Sequence, residues 1–185
     1  MGFLSDNELR GLGFASLGNN VRISEKASIY RPDLIHLGDH IRIDDFTIIS
    51  PSEKPFYLEG YNHVGSHSSL IGRESIRLEK FAGISGRVSI YSSTDDYSGE
   101  FMTNPTVPED LTRVESAPVV LMKHVIVGAS AVILPGVTVG EVSAIAALSL
   151  VSRDVPKHVI AGGTPCRVIK PRSQKVIELE KKINA

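Results

Sequence analysis

Cysteine is nearly absent. Cys166 stands alone among 185 residues, so no internal disulfide can form. Neither sign of charge prevails: 20 Lys and Arg against 21 Asp and Glu leave a formal net charge of −1, which gives no bulk field for nucleic acid or an acidic membrane. No apolar run approaches the roughly 18 residues that a membrane span requires. The opening Met1-Gly2-Phe3-Leu4-Ser5-Asp6 lacks a basic n-region and an apolar h-region. A Gly-rich phosphate loop, a CxxC pair and a basic stripe interleaved with aromatics are also missing. The expectation is a soluble cytoplasmic chain of one globular domain, with any basic site confined to a local cluster.

What is present is a repeat of six. Aliphatic residues recur as Leu17, Ile23, Ile29; Leu37, Ile43, Ile49; Leu58, Val64, Leu70; Leu78, Ile84, Ile90; Leu121, Val127, Ile133; and Val139, Ile145, Val151. All eighteen are Leu, Ile or Val, types that supply only 51 of the 185 residues, so chance is a poor explanation. Four positions after the middle member stand Ala27, Thr47, Ser68, Val88, Ala131 and Ser149, mostly small or β-branched. An α-helix would repeat its apolar stripe at 3.6. A period of six fits short parallel strands that bend after every hexapeptide, three to a triangular coil, with coils stacked into a prism.

Successive coils start 20, 21, 20, 43 and 18 residues apart, so the departures from eighteen fall almost entirely after the third hexad and share one corner. Pro32, Pro51 and Pro55 lie in those corner segments, where a missing backbone donor does least harm. The large excess, about 95–117, is a loop too long to be a simple connection and is expected to be functional or disordered. Ser5 with Glu8 three residues later reads as a capping box for a short helix, and Ser173 as the cap of another running through Val176, Ile177, Leu179, Glu180 and Ile183. Such pieces would cover the open ends of the prism. The expected organisation is a helical cap at 1–16, a β-helix at 17–156 carrying the inserted loop 95–117, and a C-terminal extension and helix at 157–185.

The stretch Val127-Gly128-Ala129-Ser130-Ala131-Val132-Ile133-Leu134-Pro135-Gly136-Val137-Thr138-Val139-Gly140, followed by Ser152-Arg153-Asp154-Val155-Pro156 and Ala161-Gly162-Gly163-Thr164-Pro165-Cys166-Arg167-Val168-Ile169-Lys170, resembles the hexapeptide-repeat acyltransferases. The resemblance covers about 17–172. It implies an all-β, left-handed parallel β-helix, an exception to the right-handed crossover rule, assembled as a homotrimer with acetyl-CoA between neighbouring prisms. Thr94-Asp95-Asp96-Tyr97-Ser98-Gly99 and Thr103-Asn104-Pro105-Thr106-Val107-Pro108 resemble the branch that acetylates sugars for lipopolysaccharide and capsule. The expected activity is transfer of acetyl from acetyl-CoA to a hydroxyl of a sugar or sugar-bearing precursor. Two alternatives stand beside it: N-acetylation of a nucleotide-linked amino sugar, and a non-catalytic docking module, since fold alone never fixes function.

Transfer to a hydroxyl needs a base. In the galactoside and xenobiotic acetyltransferases the catalytic histidine is in the loop after the strand that matches Ile90. Here that loop has none, because His67 is followed next by His124, and Asp95, Asp96 and Tyr97 occupy the neighbourhood. His63 near a corner is the candidate base, with Asp95 or Asp96 of a neighbouring chain as its orienting partner or as an acceptor for a sugar hydroxyl. The bland reading makes His63 a corner histidine and the aspartates turn formers. A neutral amine would need less help from a base, which suits the amino-sugar alternative.

For CoA the resemblance implies Ala129 and Ala147 as backbone contacts to pantetheine, and Arg153, Arg167 and Lys170 as partners for phosphates; otherwise the cations form a solvated basic end. In related sequences Ala147 commonly has Gly on both sides, where this chain has Ala146 and Leu148. Cys166 is read as packing, and Phe56, Tyr57 and Tyr61 as corner packing rather than a sugar platform. The pairs His36/His40 and His63/His67 would share a helix face, but a period-six coil turns a corner between their members, so no metal is expected despite the zinc sites of the related β-helix carbonic anhydrases.

Overall fold

Three parallel sheets run the length of the chain and form the walls of a triangular prism. The structure is a computed structural model and describes residues 2–183. Its strands order into sheets of six, eight and six, built from every third strand of the coil except for the last two strands of the second, and a separate two-stranded hairpin. Register follows the repeat residue for residue: Leu17, Leu37, Leu58, Leu78, Leu121 and Val139 neighbour one another in the first sheet. Ile23, Ile43, Val64, Ile84, Val127 and Ile145 do so in the second, and Ile29, Ile49, Leu70, Ile90, Ile133 and Val151 in the third. The fold is thus the left-handed parallel β-helix expected from the sequence.

Sixteen of the eighteen repeat residues are buried, while Leu17 and Ile29, on the first coil, pack partly exposed against the core. The small set faces inward as well, with Thr47, Ser68, Val88, Ala131 and Ser149 buried. Buried polar groups find partners: Asn62 accepts from the Gly60 amide and donates to the carbonyls of Glu79 and Ala82. This matters because an unpaired buried amide costs about 1–3 kcal/mol.

Two of the three corners are tight. Asn20, His40, Tyr61, Phe81, His124, Val142 and His158 take positive φ at one, and Phe46, His67, Arg87, Ser130 and Leu148 at the other. Non-glycine residues rarely adopt this conformation. Here each after Asn20, which lies on the first coil, is held by the coil below, as when the His40 amide donates to the Asn19 carbonyl and Tyr61 to that of Asp39. The first corner also stacks rings, His40 on Tyr61 at 4.4 Å, Tyr61 on Phe81 at 4.7 Å and Phe81 on His124 at 5.0 Å. Extra residues therefore collect at the third corner, where Pro32 opens a 3-10 turn and Pro51 ends a strand.

Helix α1 (Asp6–Gly11) has the expected capping box, the Ser5 amide donating to Glu8 and the Glu8 amide to Ser5 Oγ, and it buries Leu9 against the core. The C-terminal end differs from expectation. Helix α2 (Lys175–Glu180) follows Gln174 with no side-chain cap, and none of its residues is buried. Ser173 lies one residue too early and accepts only a long bond from the Lys175 amide. The helix is fastened to the ring column instead, Glu180 bridging Lys123 at 2.8 Å and His124 at 2.9 Å. The end of the prism is finished by strands: Val159–Gly162 continues the second sheet in parallel, and Arg167–Pro171 returns antiparallel along it.

Candidate functional site

The long excursion folds as an arm. Ser93–Asp95 pairs antiparallel with Val114–Ser116, and Glu109–Leu111 forms a 3-10 turn shortly before the returning strand. Between this arm and the third sheet opens a cleft of about 900 Å³, within the usual range for a small-molecule site. Ile71, Val132 and Leu134 supply apolar surface from the coils, while Ser50, Ser52, Arg73 and Tyr91 supply polar groups from the corner. The arm contributes Asp95, Tyr97, Asn104 and Glu109. Tyr97 is almost wholly exposed, as a ring that covers no core.

Of the two candidate aspartates, only Asp95 lines the cleft. Asp96 folds back into its own turn, accepting from Ser98 Oγ and the Gly99 amide. The hydrogen bond from Ser98 holds its carboxyl below the ordinary range against the opposing desolvation, with the Gly99 amide adding to the effect. That is the turn-forming role of an Asp.

His63 lies on the outer side of the second sheet and is not among the residues lining the cleft. Within one chain its partner is neither Asp95 nor Asp96 but Asp44, whose Oδ2 stands 2.7 Å from His63 Nε2. The other oxygen of Asp44 accepts from Arg42 Nε at 2.7 Å. Burial works against the charge on Asp44, but the hydrogen bonds from His63 and Arg42 outweigh it and keep the carboxyl below its ordinary value. Beyond His63 the next coil has Gly83 in register, which leaves the adjoining outer position without a side chain. Asp44 was missed in the sequence, although the register Arg42↔His63 places it one diagonal step from the ring.

The residues implied for CoA fall into two places. Ala129 and Ala147 are exposed and stack one coil apart at a tight corner, where the Leu148 amide donates to the Ala129 carbonyl. Gly128 packs directly on the Ala147 backbone, where an added Cβ would lie 2.5 Å from the Ala147 nitrogen. Leu148 stands 73% exposed beside them, its side chain projecting from the corner. Arg153 and Arg167 meet around a smaller pocket of about 250 Å³ that also includes Cys166. Lys170 is on the same strand as Arg167, opposite Ile160, outside that pocket. Cys166 packs partly against the core, and burial pushes its thiol up, which makes it a poor nucleophile.

Only Tyr61 is corner packing, as part of the ring column; Phe56 and Tyr57 lie on a strand, Phe56 buried in the core and Tyr57 stacked on His36 at 4.8 Å. His40 and His67 sit at corners, away from the strands that hold His36 and His63. Among the described residues, no three His, Cys, Asp or Glu cluster closely enough to hold a metal ion. No described helix is long and apolar enough to cross a membrane.

The fold and site define a stacked-coil β-helix with a polar cleft beneath its arm and a smaller pocket lined by Arg153 and Arg167. No protein-family model matches the chain. It is 43% identical over 180 residues to the dTDP-4-amino-4,6-dideoxy-D-glucose acyltransferase of Escherichia coli, covering 97% of this chain and 94% of the relative. Among solved structures it is similar to AntD, an N-acyltransferase from Bacillus cereus, in complex with dTDP and 3-hydroxybutyryl-CoA: 41% identity, TM-score 0.93, and 99% and 98% of the two chains covered. A serine-substituted form of AntD in complex with dTDP-4-amino-4,6-dideoxyglucose and Coenzyme A superposes with a TM-score of 0.94 at 40% identity, covering 98% and 96%. The chain belongs to the hexapeptide-repeat β-helix acyltransferases.

Proposed function

We propose that this protein transfers an acyl group from acyl-CoA to the 4-amino group of dTDP-4-amino-4,6-dideoxyglucose. The observation that carries the reading is the match at 43% identity along 97% of the chain to an acyltransferase named for that sugar nucleotide. Of the two acceptors weighed from the sequence, the amine therefore displaces the hydroxyl. The missing loop histidine supports the same choice, because a neutral amine already carries the nucleophilic lone pair. In the reaction the amine nitrogen bonds to the thioester carbonyl carbon, the C–S bond breaks, and the proton released by the amine ends on the departing sulfur.

The cleft beneath the arm receives the sugar nucleotide, and Asp95 accepts a hydrogen bond from the amine, holding it for attack. Acyl-CoA lies along Ala129 and Ala147, with its phosphates toward Arg153, Arg167 and Lys170. Acetyl-CoA is one candidate donor; AntD in complex with 3-hydroxybutyryl-CoA supports a longer acyl group as another. The working unit is a homotrimer, a reading supported by exposed apolar residues Phe46, Ile48, Ile126 and Leu148 on the outer faces and corners. Its place is the cytoplasm, where acyl-CoA is available.

One observation favours a second reading. The His63–Asp44 pair is the arrangement a hydroxyl acceptor would need, with the imidazole as base and the carboxylate fixing its ring. The experiment that separates the two supplies acetyl-CoA or 3-hydroxybutyryl-CoA with either dTDP-4-amino-4,6-dideoxyglucose or dTDP-6-deoxyglucose, which carries a hydroxyl at the same carbon, and follows thiol release. Turnover of the amine alone supports N-acylation. Turnover of the hydroxyl compound alone overturns it.

A further inference from the structure

The cleft beneath the arm is electrically polarised. Arg73 is the one basic residue among the described residues that line it, and it sits on the coil side beside Ser50 and Ser52. The carboxylates, Asp95 and Glu109, both belong to the arm. An amino-sugar nucleotide is polarised in the same sense, with a diphosphate between nucleoside and sugar and an amine at the far edge of the sugar ring. We infer that Arg73 binds the diphosphate of the acceptor and thereby fixes which way the nucleotide sugar lies, so that its amino group meets Asp95. This rests on the N-acylation reading and names the group that selects a nucleotide-linked sugar over a free one.

Arg73 is available for that role. Its companion is Glu53, at 3.8 Å between Nη1 and Oε1, with both side chains well exposed. An exposed pair at that separation is weak, while a guanidinium binds phosphate oxygens through two parallel hydrogen bonds. A diphosphate therefore outcompetes Glu53. The backbone beneath is held firmly: Gly72 takes φ +153° against Ser92, and the Lys54 amide donates to the Arg73 carbonyl at 2.9 Å. The cation thus stands on the rigid coil, and only the guanidinium must turn. Lysine would bring the charge without the fork.

The test is calorimetric titration of the full-length protein with dTDP and, separately, with thymidine, for the wild type, Arg73→Gln and Arg73→Lys, with a CoA titration of each as a check on folding. Arg73→Gln is expected to weaken dTDP binding roughly ten- to hundredfold and to erase the preference for dTDP over thymidine, with Arg73→Lys in between. CoA binding is expected to stay the same in all three. If Arg73→Gln binds dTDP as tightly as the wild type, the assignment is overturned while the N-acylation reading stands. If the wild type binds CoA but ignores dTDP, the N-acylation reading falls, and the assignment falls with it.

Discussion

His63 Nε2 lies 2.7 Å from Asp44 Oδ2, and the second oxygen of Asp44 lies 2.7 Å from Arg42 Nε, so one carboxylate joins side chains from two successive coils. The Asp44 side chain is 11% exposed, which shields it from water more than its partners. Because its folded pKa is lowered, its contribution to stability is present in full above the ordinary value of 3.8 and is lost as pH falls through the lower folded value. Asp44→Asn is expected to cost about 1–3 kcal/mol near pH 7. The gap to the wild type should close in strong acid. Urea unfolding at several pH values measures this, and a gap independent of pH would mean that the loss is one of packing.

The same pair separates the two chemistries. With the amine as nucleophile, His63→Ala is expected to keep turnover within about tenfold of the wild type, whereas removal of a catalytic base typically costs 10²–10⁴. Asp95→Asn should cost about 10² or more in turnover on the amino sugar while leaving CoA affinity intact, since an amide in its place loses the charge that holds the amine. Steady-state kinetics on both variants decide between them. A drop of 10² for His63→Ala would place the imidazole at a cleft, supplied there by a neighbouring copy.

The repeat was legible because every inward position is decided by one short-range rule, that a residue facing a triangular core must be aliphatic or small. Once the phase of the hexads was set, register followed, and Leu70 beside Ile90 beside Ile133 needed no further information. The site was less legible, for three physical reasons. Asp44 meets His63 through the lateral pairing of coils with 21-residue spacing, a diagonal relation that motif spacing along one strand does not express. Arg73 earns its position from the arm folding over the third sheet, and that arm has no repeat to constrain it. Asp95 and Asp96 are adjacent and alike in the sequence, yet the turn takes one and the cleft the other, a choice made by Ser98 and Gly99 closing on Asp96. The N-versus-O choice depended on a missing histidine, and an absence indicates what a site does without rather than what it binds.

Gly72 is the clearest point at which the backbone itself sets the cleft. An added Cβ would stand 2.1 Å from Ser92 Oγ and 2.8 Å from the Ser92 nitrogen, and φ +153° is unfavourable for any side chain. Ser92 has no room to give way, since it is fully buried with its hydroxyl donated to the Glu74 carbonyl. Gly72→Ala is therefore expected to destabilise the fold by about 2–4 kcal/mol, strain and clash together. It should also weaken dTDP binding through displacement of Arg73. Thermal unfolding and dTDP titration of the same variant test both, and a fully stable Gly72→Ala protein would mean that the coil relaxes more readily than this packing implies.

Arg153 offers a test of the donor site that is independent of the acceptor. It is exposed, and it meets Arg167 around the pocket of about 250 Å³ at the end of the prism. Arg153 has no part in the core, so Arg153→Ala should leave the unfolding temperature unchanged within experimental error. CoA carries three phosphates, and losing one guanidinium contact to them is expected to raise the CoA Kd about tenfold, equivalent to about 1.4 kcal/mol. Because an exposed charge contact is screened within about 10 Å at 0.1 M salt, the wild-type affinity should fall as salt is raised, and that of Arg153→Ala should fall less. Calorimetric titration across a salt series reads both quantities. Equal affinity and equal salt dependence in the two proteins would move the phosphates away from this pocket, and with them the expected course of the pantetheine arm past Ala129 and Ala147.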